Sequence, residues 1–295
     1  MAVSASLITD GGEMWTGGSP RRFFWGSIAK PFAVMTALLL EDEGRLSLSD
    51  PISSYGFHLR GGEQISIHDL LDHTSGIANF TALEGFVHDS AYHPPDELIG
   101  TVAHKPVDTC GAWAYSNTGY LIAGLAMETA GGRPYHELVG DLVFAQVAPT
   151  SLSVLAPDSL GSDLELPAPR GETPNVSIPF AAGALVGTSL DLARAWRAFL
   201  QGVIVPESDV RRMFGDLRRT DKPGRSYGLG VMAYRGAAAE GDTRLGHQGS
   251  IDGARGVVFW SMKGRAVVAV AVAGPGSAKE IGAELVGCLS DADDG

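Results

Sequence analysis

The sequence predicts an α/β fold of the α+β kind, in which both termini form one antiparallel sheet, helices flank the sheet, and a helical region is inserted between the termini. Three observations predict it. Short β-prone runs joined by turn residues open the chain, helical periodicity dominates its middle, and β-prone runs return in the last quarter before a final helical segment.

The composition is that of a globular protein with a sizeable core, and it argues against several functions. The 295 residues are 44% hydrophobic with a mean hydropathy of +0.07, which is too apolar for a disordered chain. The net charge of −12 disfavours nucleic-acid binding, because phosphate backbones repel such a surface. Two cysteines are too few for a disulfide framework or a cysteine metal site.

The sequence shows neither a signal peptide nor a membrane span. Its first ten residues contain no basic residue and no apolar core of signal-peptide length. The most apolar stretches, residues 32–40 and 267–273, are too short to cross a bilayer. We therefore expect a cytoplasmic protein without a membrane partner, and the sequence does not indicate its oligomeric state.

The N-terminal segment predicts a β-hairpin followed by a helix. Residues 3–9 and 13–16 are β-prone and flank an Asp-Gly turn. Residues 32–43 carry apolar side chains at helical spacing, with a glycine after them as a stop. Pro31 places the start of this helix near Ser27, because the missing N–H of proline is tolerated only in the first turn.

The middle of the chain predicts a series of helices. Ser66 and Asp69 form a capping-box pattern for a short helix over residues 67–73, closed by Gly76. Further helical patterns, the last of them capped by a serine or threonine, cover residues 118–130, 134–144 and 190–200. Residues 149–180 are rich in Pro, Ser and Asp and predict irregular surface chain.

The last quarter predicts strands and a closing helix. The strand patterns cover residues 227–234, 243–248, 256–261 and 265–273, and the helix pattern covers residues 277–289. The chain therefore divides into a sheet domain of residues 1–44 and 225–295 and a mainly helical domain of residues 45–224. We expect the active site between them.

Ser27 and Lys30 form an S-x-x-K tetrad, which is the pattern of a nucleophile and its base. At a helix N-terminus the serine lies beside exposed backbone N–H groups, and its own N–H can stabilise an oxyanion. Lys30 lies one turn further on the same face, where burial can lower its pKa toward neutrality. Such tetrads also occur with the serine as a plain helix cap and the lysine as a surface charge.

A second motif, Tyr115-Ser116-Asn117, brings a phenol and an amide to the start of a predicted helix. As a phenolate held by lysine, the tyrosine can take the serine proton and later pass it to the leaving group. Asn117 can hold both Lys30 and a substrate amide. Taken alone, the motif is equally typical of a buried tyrosine followed by a capping asparagine.

A third motif, His247-Gln248-Gly249, precedes Ser250 on a predicted strand. Gly249 allows a substrate backbone to approach closely, and the N–H of Ser250 can serve as a second oxyanion donor. Taken alone, this motif is equally typical of a β-turn with a surface histidine.

Together the three motifs resemble those of the serine β-lactamase and penicillin-binding protein superfamily. Y-x-N is similar to the second motif of class C β-lactamases, DD-carboxypeptidases and related esterases. H-x-G is similar to the third motif of esterase, D-aminopeptidase and transacylase relatives. The resemblance runs in order from about residue 3 to 290 and includes further segments at residues 70–77, 183–193 and 227–230.

The resemblance implies a role for each matching residue. Ser27 is the nucleophile, and Lys30 and Tyr115 transfer the proton. The backbone N–H groups of Ser27 and Ser250 form the oxyanion hole. The substrate-binding residues are Asn117, His247, Gly249 and Ser250. Neither a metal nor a cofactor is implied.

Two departures narrow the function that the resemblance implies. His247 stands where penicillin-recognising relatives have a lysine that helps bind the substrate carboxylate, and a neutral histidine carries no permanent charge. The segments at residues 15–25 and 80–110 are short for the class C branch. We therefore predict a serine-dependent acyl-enzyme catalyst, an esterase or transacylase that acts on a small ester or amide with water, an amine or an alcohol as acceptor.

Natural-product biosynthesis is the setting we expect for this activity. Two alternatives stay open. One is a β-lactamase or a DD- or D-amino-peptidase, and the other is a sensor that is acylated without turnover.

Overall fold

A large antiparallel sheet, built from both ends of the chain, is the frame of the computed structural model. The structure describes residues 1–86, 91–108, 110–156, 159, 164–165, 177–235, 241–251 and 253–293. The strands in chain order are β1 (Ala2–Thr9), β2 (Met14–Gly18), β3 (Arg22–Phe24), β4 (Ser153–Val154), β5 (Leu164–Glu165), β6 (Leu185–Gly187), β7 (Arg218–Arg219), β8 (Arg225–Tyr227), β9 (Met232–Arg235), β10 (Thr243–Ile251), β11 (Ala254–Ser261) and β12 (Ala266–Ala273).

Eight of these strands form the large sheet in the order β2-β1-β12-β11-β10-β9-β8-β7. All of its neighbouring pairs are antiparallel. Strand β1 from the N-terminus pairs with β12 from the last quarter, with Ala2 opposite Ala273. A small second sheet has the order β4-β6-β3-β5. The α+β architecture expected from the sequence is therefore confirmed.

Helices flank the large sheet, and most of them come from the part of the chain between its N-terminal and C-terminal strands. They are α1 (Ala29–Asp42), α2 (Ile67–Leu71), α3 (Pro95–Ala103), α4 (Asn117–Gly131), α5 (Tyr135–Leu138), α6 (Phe180–Gly183), α7 (Ser189–Leu200), α8 (Glu207–Gly215) and α9 (Ala278–Asp293). No helix in the described ranges is both long and apolar enough to span a membrane.

The all-apolar sequence of β12 follows from its position between two helical layers. Val268, Val270 and Val272 pack in one cluster with residues of α9 on one face of the sheet. Ala269 and Ala271 belong to the main core on the opposite face. Successive side chains of a strand point to opposite faces, so a strand covered on both sides is apolar throughout.

Helices α1 and α4 form the centre of the helical part, because most of their residues are buried on every side. Helix α1 packs on α4 and α6, whereas α7 packs on β1 and β12, where Ser189 bonds Ser4 and Ser6. Each of these two helices therefore packs on elements of the other predicted domain, across the boundaries expected at residues 44 and 224.

Several elements differ in their bounds from the sequence prediction, and two of these differences have a clear cause in the backbone. The single strand expected over residues 227–234 is a hairpin of β8 and β9, because Gly230 has a left-handed φ of +70° and reverses the chain. The short helix capped by Ser66 ends at Leu71, not at residue 73, because His73 has a φ of +64° and breaks the helical path. Much of the expected irregular segment 149–180 lies outside the described residues.

Candidate active site

Ser27 lies in a tight turn between the small sheet and the central helix. The turn is a 3₁₀ segment, Gly26–Ile28, that leads directly into α1. Gly26 has a φ of +53°, and a Cβ built on it would lie 3.2 Å from the backbone nitrogen of Ser250. Strand β10 therefore packs against the turn that presents the serine, which fits the sequence expectation that Ser27 stands at a helix start.

The structure brings Ser27, Lys30 and Tyr115 together. The Oγ of Ser27 lies 2.8 Å from the phenol oxygen of Tyr115. The Nζ of Lys30 lies 3.2 Å from the same Oγ. One hydroxyl is therefore within hydrogen-bond reach of both an amine and a phenol, although Tyr115 is 88 residues away in sequence.

Lys30 is completely buried, and its amine has fixed partners. Nζ donates to Oδ1 of Asn117 and to the carbonyl oxygen of Ala182, both at 2.8 Å. Burial holds the pKa of Lys30 well below its usual range, because an ammonium loses its hydration in this site. The two carbonyl-type oxygens can only accept, so in the neutral amine they orient both N–H bonds and leave the lone pair directed at Ser27.

Burial also raises the pKa of Tyr115, to about 12, and the hydrogen bond from Ser27 offsets this only in part. The phenol is therefore protonated at neutral pH. The sequence had suggested a phenolate held by lysine. Such a phenolate needs a positive charge beside it, and burial disfavours the positive charge on Lys30.

Gly249 allows β10 to lie against the nucleophile turn. A Cβ at this position would overlap the carbonyl oxygen of Trp25 and would lie 3.0 Å from the backbone nitrogen of Ser27. The protein's own backbone therefore requires glycine at this position, a reason that the sequence did not reveal, and the close approach of a substrate backbone stays a prediction. Ser27 and Ser250 both line the cleft beside this close packing, and the pairing of their N–H groups as an oxyanion hole stays a prediction.

His247 is placed behind the cleft and not in it, which corrects its expected contact with substrate. The side chain has no exposed surface, and Nδ1 lies 2.7 Å from the carbonyl oxygen of Gln248. A carbonyl only accepts, so Nδ1 carries the proton and Nε2 accepts from the Tyr227 hydroxyl at 3.3 Å. Burial lowers the pKa of His247 to about 3, which makes it a neutral structural residue.

A second buried histidine, His73, organises the Tyr115 segment. Its ring centroid lies 4.4 Å from that of Tyr115, and its Nδ1 accepts from the backbone N–H of Ser116 at 3.2 Å. Its carbonyl oxygen accepts from the N–H of Ala114. Burial holds the pKa of His73 well below its usual range, and the positive charge of Lys30 adds to this. Sequence reasoning missed this role, although His73 lies inside the resembling segment 70–77.

We expect the two buried histidines to make the folded state sensitive to mild acid. Both folded pKa values are lowered, that of His247 to about 3, so below pH 6.5 the unfolded chain binds more protons than the folded one. Stability is then complete above pH 6.5 and falls as the pH drops below it, by up to about 1.4 kcal/mol per pH unit for each histidine. Urea unfolding between pH 7 and 5 measures this slope.

The variant His247→Gln tests the assignment of that slope, because glutamine cannot take up the proton. It should flatten the dependence of unfolding free energy on pH. An unchanged slope in His247→Gln would contradict the assignment to this residue.

Other groups that position the site were not visible in the sequence. The side chain of Asn117 is fixed because its Nδ2 donates to Oγ1 of Thr81 at 3.0 Å. Its backbone N–H donates to Oδ1 of Asn79 at 3.0 Å, which caps the start of α4. Ala182 contributes only a carbonyl, and a backbone group carries no sequence signal.

The site opens into a cleft of about 800 Å³. Ser27, Tyr115, Asn117, Gly249 and Ser250 all line it, together with aromatic and apolar side chains of the helical part, Phe80, Trp113, Ile178 and Pro179. The residues that line the cleft therefore include members of strand β10 and of the helical region. A cleft of this volume accommodates a small molecule.

A potential metal cluster lies outside this cleft. Ligand atoms of His68, Asp69 and Asp72 lie within 4.8 Å of one another. The carboxylates are engaged in the fold, because Asp69 accepts from Ser66 in the capping box and Asp72 accepts from Thr74. None of these three residues lines the cleft that contains Ser27.

A comparison of the sequence with models of protein families agrees with the motifs that form this site. A model of the beta-lactamase family covers residues 6–286. The chain therefore belongs to the beta-lactamase family, as its motifs indicated, and to the superfamily of serine hydrolases and acyltransferases that includes it.

Curated relatives and solved structures show which individual proteins this chain is similar to. One relative is the penicillin-binding protein PbpX of Bacillus subtilis (strain 168), so called by its name. It is 24% identical to this chain over 223 residues, which is 73% of this chain and 54% of that protein. This chain spans about half or less of the length of the curated relatives it matches.

Among solved structures, a D-stereospecific amidohydrolase from Streptomyces sp. is 29% identical with a TM-score of 0.80, and the match covers 92% of this chain and 89% of that one. The D-amino acid amidase from Ochrobactrum anthropi SV3 shares the fold with a TM-score of 0.86 at 21% identity, and the match covers 100% and 94% of the two chains.

Proposed function

We propose that this protein is a serine-dependent acyl-enzyme catalyst that hydrolyses or transfers the acyl group of a small ester or amide. One observation carries the proposal. The Oγ of Ser27 lies within hydrogen-bond distance of both the buried Lys30 amine and the Tyr115 phenol. Ser27 also lines a cleft that is large enough for a small molecule.

Acylation begins with removal of the Ser27 proton. The neutral amine of Lys30 is held by Asn117 and Ala182 with its lone pair toward Oγ, so it takes the proton as Oγ attacks the substrate carbonyl carbon. The negative charge that forms on the carbonyl oxygen is stabilised by the N–H groups of Ser27 and Ser250.

Tyr115 acts as the proton donor in the next step. Its pKa of about 12 keeps the phenol protonated, and its hydroxyl lies 2.8 Å from the attacking oxygen. It gives its proton to the departing alkoxide or amine as the bond from the carbonyl carbon breaks, and the proton on Lys30 restores the phenol. The products are the Ser27 ester and the free leaving group.

Deacylation repeats these steps in reverse order with a new nucleophile. Water, an amine or an alcohol takes the place of the leaving group, gives up its proton to the Lys30 and Tyr115 pair, and attacks the Ser27 ester. The Oγ then leaves with a proton. The choice of acceptor decides between hydrolysis and transfer.

The names of the structural relatives favour one substrate class for the first tests. The Streptomyces structure is a D-stereospecific amidohydrolase, and the match covers nine-tenths of both chains at 29% identity. Amides and esters of D-amino acids are therefore the preferred candidates, which corresponds to the D-amino-peptidase alternative. A role in natural-product biosynthesis stays a prediction from the sequence.

Intact-protein mass spectrometry tests the proposal directly. After addition of p-nitrophenyl acetate or of a D-phenylalanine ester, the mass of the chain should rise by one acyl group, and peptide mapping should place the group on Ser27. The adduct should decay with time, and faster when an amine is added. An adduct on another residue contradicts the proposal, and a permanent Ser27 adduct without turnover favours the sensor alternative.

A further inference from the structure

A cationic cluster forms part of the wall of the cleft. Lys222, Arg225, Arg255 and Lys279 all line the cleft that contains Ser27. They come from three separated places in the chain: Lys222 and Arg225 from the β7–β8 connection and the start of β8, Arg255 from the start of β11, and Lys279 from the start of α9. The fold therefore gathers positive charge at this cleft in a protein whose net charge is −12.

These cations lack partners of opposite charge in the described part of the chain. No carboxylate of the described residues lies within 4 Å of the charged atoms of any of the four. Asp221 also lines the cleft, and it makes no such pair. The pKa of Lys279 is lowered first by partial burial and then by the positive charges of Arg225 and Lys222, so the three groups repel one another. A ligand that carries negative charge would relieve this repulsion.

Aromatic packing holds two of the cations in place. The guanidinium of Arg225 lies 5.5 Å and the ammonium of Lys279 lies 5.7 Å from the ring centroid of Tyr234. The guanidinium also donates through Nη2 to Oε1 of Gln248 at 3.3 Å. Gln248 is two residues before Ser250 on β10, so the cationic cluster lies beside the strand that supplies the second oxyanion donor.

We propose that this cluster, Lys222, Arg225, Arg255 and Lys279, binds a carboxylate or phosphate group carried by the substrate or by the acyl acceptor. The inference rests on the proposed function and adds to it the class of substrate. The buried and neutral His247 cannot supply a charge for such a group. These four side chains lie outside the three catalytic motifs, so the cleft has positive charge available for an anionic group although the third-motif residue His247 has none.

Matched pairs of substrates and acceptors test the inference. In the acyl arm, mono-p-nitrophenyl adipate is compared with its methyl ester. In the acceptor arm, transfer from p-nitrophenyl acetate to O-phosphoethanolamine or glycine is compared with transfer to ethanolamine or glycine methyl ester. We expect kcat/KM to be roughly tenfold or more higher for the anionic member in at least one arm, because an ionic hydrogen bond contributes at that level. The arm that responds identifies the source of the anion.

Variants separate this cluster from general charge effects. In Arg225→Gln, and in the double variant Lys222→Gln with Lys279→Gln, the preference for the anionic member should fall at least tenfold and become insensitive to salt. Lys263→Gln makes the same change of charge at the opposite end of β11, in the β11–β12 turn, and should keep the wild-type preference.

Equal kcat/KM for charged and neutral members in both arms would overturn the inference while leaving the proposed function in place. Loss of the preference in Lys263→Gln to the same extent as in Arg225→Gln would also overturn it. Absence of turnover and of any Ser27 adduct with the neutral esters would overturn the proposed function itself, and with it this inference.

Discussion

Replacing Ser27 with alanine is expected to lower kcat/KM for p-nitrophenyl esters by roughly 10³-fold or more. The variant keeps the backbone N–H of residue 27, the amine of Lys30 and the phenol of Tyr115, so only the attacking oxygen is lost. The remaining rate reflects binding and oxyanion stabilisation by a site that can no longer form an ester. Release of p-nitrophenol under steady-state conditions gives the rate, and intact mass should show no adduct.

Ser54→Ala is the matched control for this variant. Ser54 is an exposed serine in a 3₁₀ turn that does not line the cleft, so the same loss of a hydroxyl should leave kcat/KM and thermal unfolding unchanged. If Ser27→Ala hydrolyses the esters at the wild-type rate, the nucleophile is elsewhere and the mechanism is wrong.

Removing the amine of Lys30 is expected to have an effect of similar size. Lys30→Met fills the same buried space without a base, so acylation should fall by roughly 10³-fold. Folding should be little changed, because the relief of Lys30 desolvation offsets the loss of the hydrogen bonds to Asn117 and Ala182. Lys30→Arg keeps a positive charge that cannot be given up, and it should be as inactive as Lys30→Met.

The pH profile of the wild-type protein tests the same role. The active form has a neutral Lys30, so kcat/KM should decline as the pH falls through the lowered pKa of this residue, well below the ordinary 10.5. The decline should be absent from whatever activity Lys30→Met retains. Full activity of Lys30→Arg would show that Lys30 acts through its charge and not as a base.

The sequence predicted the parts of the site that lie on regular elements with a local signature. Pro31 placed the start of α1, and this put Ser27 and Lys30 one helical turn apart, as the structure has them. The Tyr115 motif was expected at the start of a helix, and α4 begins at Asn117. The pairing of N-terminal and C-terminal strands followed from the distribution of β-prone runs.

The sequence could not predict groups whose role depends on distant contacts or on backbone atoms. His73 touches Tyr115 across 42 residues, and its left-handed backbone is not evident from residue type. His247 was expected to face the substrate, yet both faces of its strand are covered at that point. The cationic cluster combines residues up to 57 positions apart, from Lys222 to Lys279, and no local motif marks it.

The packing of β10 against the turn that presents Ser27 has a consequence for the protein during its synthesis. The nascent chain carries Ser27 more than 200 residues before the strand β10 that packs against its turn. The Ser27 hydroxyl therefore exists early without the N–H of Ser250, the second oxyanion donor proposed above, and we expect activity only after synthesis has passed β10. Turnover of a chromogenic ester during translation would in this way report completion of the tertiary structure.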